Sequence, residues 1–358
     1  MSDRRKEAEE KMAKAIFISA DCWLCVFELL APSQLGLRIA MISHRFDHYV
    51  DEHFKTRKRT LAFIEIRSKI GEYGTKKMRI VNLDEKEMPI PQIQLPCKVI
   101  GFKWINIFFI DQNAIALLHR FRQLFAASQI NLSITTNNDR ILEFILRNIW
   151  PMVAKNIHGI HLPVGFFRRL RQFVPSILND CPSLHVVFCD FGEFFPEFPA
   201  NDNATASDGQ SVAKWLFTPL QNDVPKLLKC MLDMNDGNWS SRIEDLQTAF
   251  ASASSPVNFI IVIWFFSPFA GSVVPFDLTN KLTREQLALK RINDSHHFLL
   301  IRCPIVRDAD KWTKWEKEAI RWQFRDQWNK IEIDLYDEED VGKGLLDAMP
   351  GPSDQQQK

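Results

Sequence analysis

The chain has 358 residues, 46% apolar and 25% charged, which is material for a small module plus one larger domain with a sizeable core. Its 45 Lys and Arg against 44 Asp and Glu leave a net charge of +1, which excludes bulk attraction to nucleic acid or an anionic membrane. Residues 1–14 are mostly charged and the longest apolar run, 259–266, is far too short to cross a bilayer, so neither a signal peptide nor a membrane span is expected. The 7 cysteines are odd in number and scattered, which fits reduced thiols in cytoplasm or nucleus. The 28 Phe and 10 Trp against 3 Tyr favour buried apolar cores over polar contact surfaces.

Taken in order, residues 1–15 read as a charged, solvated lead-in. Within 16–56, Trp23, Leu24, Val26, Phe27 and Leu30 recur at helical spacing and Pro32 breaks the pattern. Leu35, Leu37 and Ile39 reopen it, and Ile42, Phe46, Tyr49 and Val50 carry it into a third short segment. Two or three such short helices cannot bury a full core alone, so the module leans on a partner or on the rest of its chain. The Val26-Phe27-x-x-Leu30 helix, the turn at Pro32, Leu35 opening the next helix and the segment Ile42-Ser43-His44-Arg45-Phe46 resemble an F-box, with Ile18-Ser19 where that family opens on Leu-Pro. The resemblance implies a substrate receptor of an SCF-type (cullin–RING) ubiquitin ligase, itself not an enzyme. Its partners are then a Skp-family adaptor, through it a cullin, and an unknown protein substrate. Trp23, Leu24, Phe27, Leu30, Pro32, Leu35, Ile42 and Phe46 become the adaptor-facing and supporting apolar surface. The residues alone also allow a helical cap on the following domain, within an adaptor-independent interaction scaffold.

After a basic hinge at 57–59, strand-like runs at 61–66 and 78–83 suggest a β-hairpin, followed by a proline-containing connector at 88–96. Domain boundaries are therefore set at 57–100 for this segment and 101–336 for an α/β recognition domain. Within the latter, strands are expected at 102–110, 130–136, 157–162, 184–191, 226–234 and 259–266. Helices are expected at 114–126, from 138, over 165–180 with an interruption at Pro175, around Val212 to Phe217, and from 240. From Leu132 through Ile160, Val187 and Cys230 to Val262, strand centres recur roughly every 27 to 32 residues, except across the loop 192–209. Strand–helix units of about that length stack in leucine-rich-repeat horseshoes. The fold expected is an irregular leucine-rich-repeat-like α/β solenoid with a mainly parallel sheet, and the alternative is an open mixed α/β sheet. Beyond Pro268 the pattern suggests a helix at 283–291, a strand at 297–303, a helix at 308–324, an edge strand through Ile331, Ile333 and Leu335, and a disordered acidic and polar tail over 337–358. The order of these segments, around Pro256-Val257-Asn258-Phe259 and Val273-Val274-Pro275-Phe276-Asp277, is also similar to the receptor regions of the large nematode F-box families.

No P-loop, dinucleotide glycine pattern, Gly-x-Ser-x-Gly or His-Glu-x-x-His is present, and no cofactor, metal or catalytic residue is expected. Cys22 and Cys25 form a lone CxxC without a second ligand pair, and on a helix they share a face with Leu29. His296 and His297 fall on opposite faces of a strand. Arg168, Arg169 and Arg171 read as a solvated helix face or an acidic-motif contact, and Trp312, Trp315 and Trp322 as core or a partner groove.

Overall fold

The structure is a computed structural model that describes residues 18–30, 35–40, 42–56, 59–70, 76–81, 87–88, 99–163, 165–189, 194–220, 224–232, 239–265, 273–292 and 297–347. The lead-in 1–15, Pro32, most of the connector 88–96, His296 and residues 348–358 lie outside them.

Helix α1 (Ala20–Glu28) starts because the Ser19 side chain accepts a hydrogen bond from the Cys22 amide and Asp21 sits in the positive first turn. A short π-helical turn (Leu35–Ile39) and α2 (His44–Thr56) complete the N-terminal module. Aromatic rings hold it: Trp23 meets Phe46 edge-on at 4.8 Å, and Phe27 meets His53 at 5.7 Å. Phe27, Leu35 and Val50 belong to the same apolar core as the sheet that follows.

One 13-stranded sheet carries the rest of the chain, in the order β10-β11-β12-β9-β8-β7-β6-β5-β13-β4-β1-β2-β3. It opens with β1 (Arg59–Ile70), β2 (Lys76–Val81), β3 (Glu87–Met88) and β4 (Val99–Ile107). The segment expected as a separate hairpin is therefore one end of the main sheet, with β1 parallel to β4. Helices α3 (Gln112–Arg120) and α4 (Arg122–Ala127) lead to β5 (Ile130–Thr135). Next come α5 (Asp139–Asn148), α6 (Trp150–Val153), β6 (Ile157–Leu162), α7 (Phe166–Phe173) and β7 (Val186–Cys189). Then α8 (Asp208–Leu216), β8 (Lys226–Leu232), α9 (Trp239–Ala251) and β9 (Phe259–Phe265) complete the repeating part. From β5 to β9 each new strand lies parallel to and beside the last, the arrangement that a strand–helix–strand crossover favours. The molecule is thus α/β with a large, mostly parallel sheet.

The chain then reverses through β10 (Phe276–Asn280), β11 (Glu285–Arg291) and β12 (His297–Pro304), an antiparallel meander beside β9. The helix expected at 283–291 is strand β11. Its Glu-Gln-Leu-Ala-Leu-Lys composition suits a helix, but Leu287 and Leu289 reach one apolar layer while both edges of the strand pair, and tertiary pairing overrides propensity. Helix α10 (Ala309–Arg321), capped by Asp308, and β13 (Lys330–Asp334) follow. β13 does not close an edge: it inserts between β4 and β5, parallel to both, in the middle of the sheet. Residues 337–347 are ordered rather than a tail, with Glu338–Asp340 a 3-10 turn, Val341 buried and bridged to Ile110, and Leu346 buried.

Two apolar layers flank the sheet. Helices α3 to α9 pack on one face, over rows such as Leu132, Ile160, Val187, Leu228 and Ile261, which are matched in register. On the other face α10 covers only the β7–β12 end, where Trp312 and Ala319 meet Val186, Leu227, Ile260 and Leu299.

Candidate functional site

Helix α1 is apolar all round: between Cys22 and Leu30 only Glu28 is polar. One stripe, Trp23, Leu24, Phe27 and Leu30, is spent inward. Phe27 is 0% exposed, and the other three are half-buried against the core. The opposite stripe, Cys22, Cys25, Val26 and Leu29, faces solvent at positions i, i+3, i+4 and i+7, with Leu29 85% exposed. Ile18 extends this stripe, and Ile42, 61% exposed, stands beyond the π-helical turn. A helix with no polar face is stable in water only when both stripes are covered.

Of the residues assigned to an adaptor surface, Phe27 and Leu35 are fully buried and offer a partner nothing. Trp23, Leu24, Leu30 and Phe46 are half-buried supports, Ile42 projects, and Pro32 lies outside the described residues. The outward positions are instead Val26 and Leu29 with the two thiols. The signal for them in the sequence is the absence of a polar stripe in CWLCVFELL.

A second feature is the part of the sheet face beyond α10, over which Phe324 and Arg325 pack. In-register pairing places Glu65 (β1), Asn106 (β4), Glu332 (β13), Ser133 (β5) and His161 (β6) in one lateral row. Ser133 Oγ and His161 Nδ1 share a hydrogen bond at 3.1 Å, and the His161 ring lies 5.3 Å from Phe324. Burial pushes the carboxyls of Glu332 and Asp334 up, opposed by Lys330 for the first and by the Thr135 hydroxyl for the second. Beyond Phe188 in the row, burial lowers Lys229 to about 8, and its ammonium donates to the carbonyls of Ile320 (3.1 Å) and Trp322 (2.6 Å). It thereby caps the end of α10. The alternation Lys-Ile-Glu-Ile-Asp marks this row in the sequence once β13 is known to be central.

Other expected chemistry resolves into structure. Arg171 is buried and donates to the carbonyls of Pro175, Asn203 and Ala206 and to Asp208. Arg169 donates to Asp139 and to the Thr136 carbonyl. These two arginines pin the loop after β7 and the end of β5, rather than forming a solvated face. The loop 192–209, described from residue 194 on, buries Phe194 and Phe195. Trp312 is buried and Trp315 and Trp322 are half-buried in the second apolar layer, and His297 lies against Trp264 at 5.1 Å. Burial raises the Cys181 and Cys230 thiols to about 12, which makes them inert. Among the described residues no group of three or more His, Cys, Asp or Glu is arranged to hold a metal, and no helix is long and apolar enough to cross a membrane.

Comparison of the chain with protein-family models, with curated proteins and with solved structures yields no match.

Proposed function

We propose that the protein is a non-catalytic substrate receptor, linking a target protein to the Skp-family adaptor of a cullin–RING ubiquitin ligase inside the cell. The observation that carries this reading is the solvent-facing stripe Cys22, Cys25, Val26 and Leu29 on a helix that has no polar face. It lies in the segment that resembles an F-box, and an apolar helix face in water calls for a protein partner. The sheet then serves as an irregular leucine-rich-repeat-like solenoid. In-order parallel strands with their connecting helices on one face support that assignment.

The test is retention of a purified Skp-family adaptor by the full chain. Leu29→Asp and Val26→Asp alter solvent-facing positions and are expected to abolish retention while leaving the fold intact. Phe27→Asp is unsuited to this purpose, because it buries a charge. No retention by the folded native chain sinks the proposal. One observation favours the second reading, a helical cap on an adaptor-independent scaffold: Phe27, Leu35 and Val50 share the apolar core of the sheet. Under that reading the Leu29 and Val26 variants leave every interaction unchanged.

A further inference from the structure

We propose that the protein pairs with a second copy of itself through β10, so that two sheets continue into one across a two-fold axis at Leu278. β10 is the last strand at one end of the sheet, with β11 its only strand neighbour among the described residues. Inner strands hydrogen-bond on both sides, whereas the outer N–H and C=O groups of β10 meet no described backbone partner. Such a row is a template for another strand. Alternate positions along this edge are apolar: Val274, Phe276 and Leu278, with Leu282 beyond the buried Asn280. Phe276 and Leu278 are only half-buried against the core, and Val274 and Leu282 are 77% and 74% exposed. Beside the edge, Ser240, Ile243 and Gln247 of α9 and Val273, Val274 and Phe276 line a groove of about 310 Å³. Asn280 Oδ1 accepts from the amides of Leu282 and Thr283, which fixes the turn that presents Leu282.

The symmetry of the segment names its occupant. In an antiparallel pair the residues directed outward match one another, so a two-fold axis passes through a residue rather than between two. With the axis at Leu278, the partner's Leu278 lies opposite and Asp277 faces the partner's Thr279. Val274 and Leu282 stand equally far from the axis on either side, so each Val274 comes to the partner's Leu282. The most exposed apolar side chains of the segment are thereby covered, and the groove beside Val274 receives the partner's Leu282. Moving the axis to Asp277 sets two carboxylates directly opposite, and moving it to Thr279 sets Val274 opposite Arg284. The matched ends and the absence of opposed charges favour a second copy over an unrelated peptide, and such an isologous contact closes at two copies. This pairing does not depend on the receptor reading.

The test is sedimentation velocity of the full chain from about 1 to 100 µM, with amide hydrogen exchange measured at both ends of that range. Expected are a doubled mass at the upper concentration and exchange of the outward amides within 276–280 slowed there by at least about tenfold. Val274→Asp and Leu282→Asp, both at exposed positions, are each expected to weaken association by at least about tenfold, because each sets a carboxylate against an apolar side chain. A monomer at every concentration overturns the proposal: freely exchanging outward amides then leave the edge to an extended peptide of another protein, and amides already protected show that the chain covers the edge itself. A dimer whose β10 amides exchange as in the monomer, or one that survives both substitutions unchanged, also overturns it. The exchange comparison uses the native chain and stands even where a variant fails to fold.

Discussion

Replacing Glu285 by Gln tests the deepest electrostatic element of the fold. Glu285 on β11 and Arg302 on β12 have side chains 1% and 0% exposed, and their shortest contact is 2.7 Å. Glu285 Oε2 accepts from both Nε and Nη2 of Arg302, while Oε1 accepts from the Val257 amide at 2.8 Å. The guanidinium lies between the rings of Phe217 and Phe250, 5.0 and 5.2 Å from their centroids. Two desolvated charges hold only because each neutralises the other, and removing one leaves its partner uncompensated, at about 3–5 kcal/mol. Glutamine keeps an acceptor for the Val257 amide but turns its NH2 toward the guanidinium, so the loss combines the charge with the two hydrogen bonds from Arg302. At roughly 2 °C per kcal/mol for a chain of this size, the melting midpoint should fall by about 6–10 °C. The double variant Glu285→Gln with Arg302→Met removes both charges and should recover more than half of the loss. Circular-dichroism melts at low and at about 1 M salt check this, since a pair sealed from solvent is little screened and the drop should be the same in both. A drop equivalent to under about 1 kcal/mol, or a double variant as unstable as the two single losses combined, refutes the reasoning.

Acid should destabilise the fold through His185, which stacks on His158 at 4.9 Å and is lowered by burial to about 3. Its unfolded value is near 6.5, so the unfolded chain binds the extra proton and stability falls as pH drops from about 6.5 toward 3; urea midpoints should be lower at pH 5 than at pH 7, and His185→Phe should flatten that slope. Lys226 and Lys229, lowered by burial to about 7 and about 8, have the same sign over a higher window, so stability rises from about pH 7 toward 10.5, and Lys226→Met should reduce the rise while leaving the part due to Lys229. Phe27→Ala should cost about 3–5 kcal/mol by leaving a cavity under the N-terminal helices, whereas Leu29→Ala, at an exposed position, should change stability by no more than about 0.5 kcal/mol; equal effects in denaturant unfolding would show that α1 is rotated from the orientation described. Gly159→Ala drives a Cβ into Asn131 Oδ1, and Asn131 also donates to the Trp328 carbonyl, so a loss of about 1–3 kcal/mol is expected from the same measurement.

Local chemistry was enough to read much of this fold from the chain itself. Runs such as FIIVIWF and IHGIHL are β9 and β6, and the cap Asn138 starts a helix where its side chain can serve the first free amides. The order of strand–helix units from β5 to β9 also follows from their spacing, because a short crossover delivers each strand beside the last. What the sequence could not decide is everything that depends on distant partners. β13 is central because Lys330 to Asp334 pair with residues some two hundred positions earlier, a choice that no local pattern encodes. Residues 285–291 are a strand because both neighbours offer edges and Arg302 needs Glu285. The outward stripe of α1 and the row around Asn106 likewise required the assembled molecule. Composition determines which side chains can be buried, and packing alone decides which of them are.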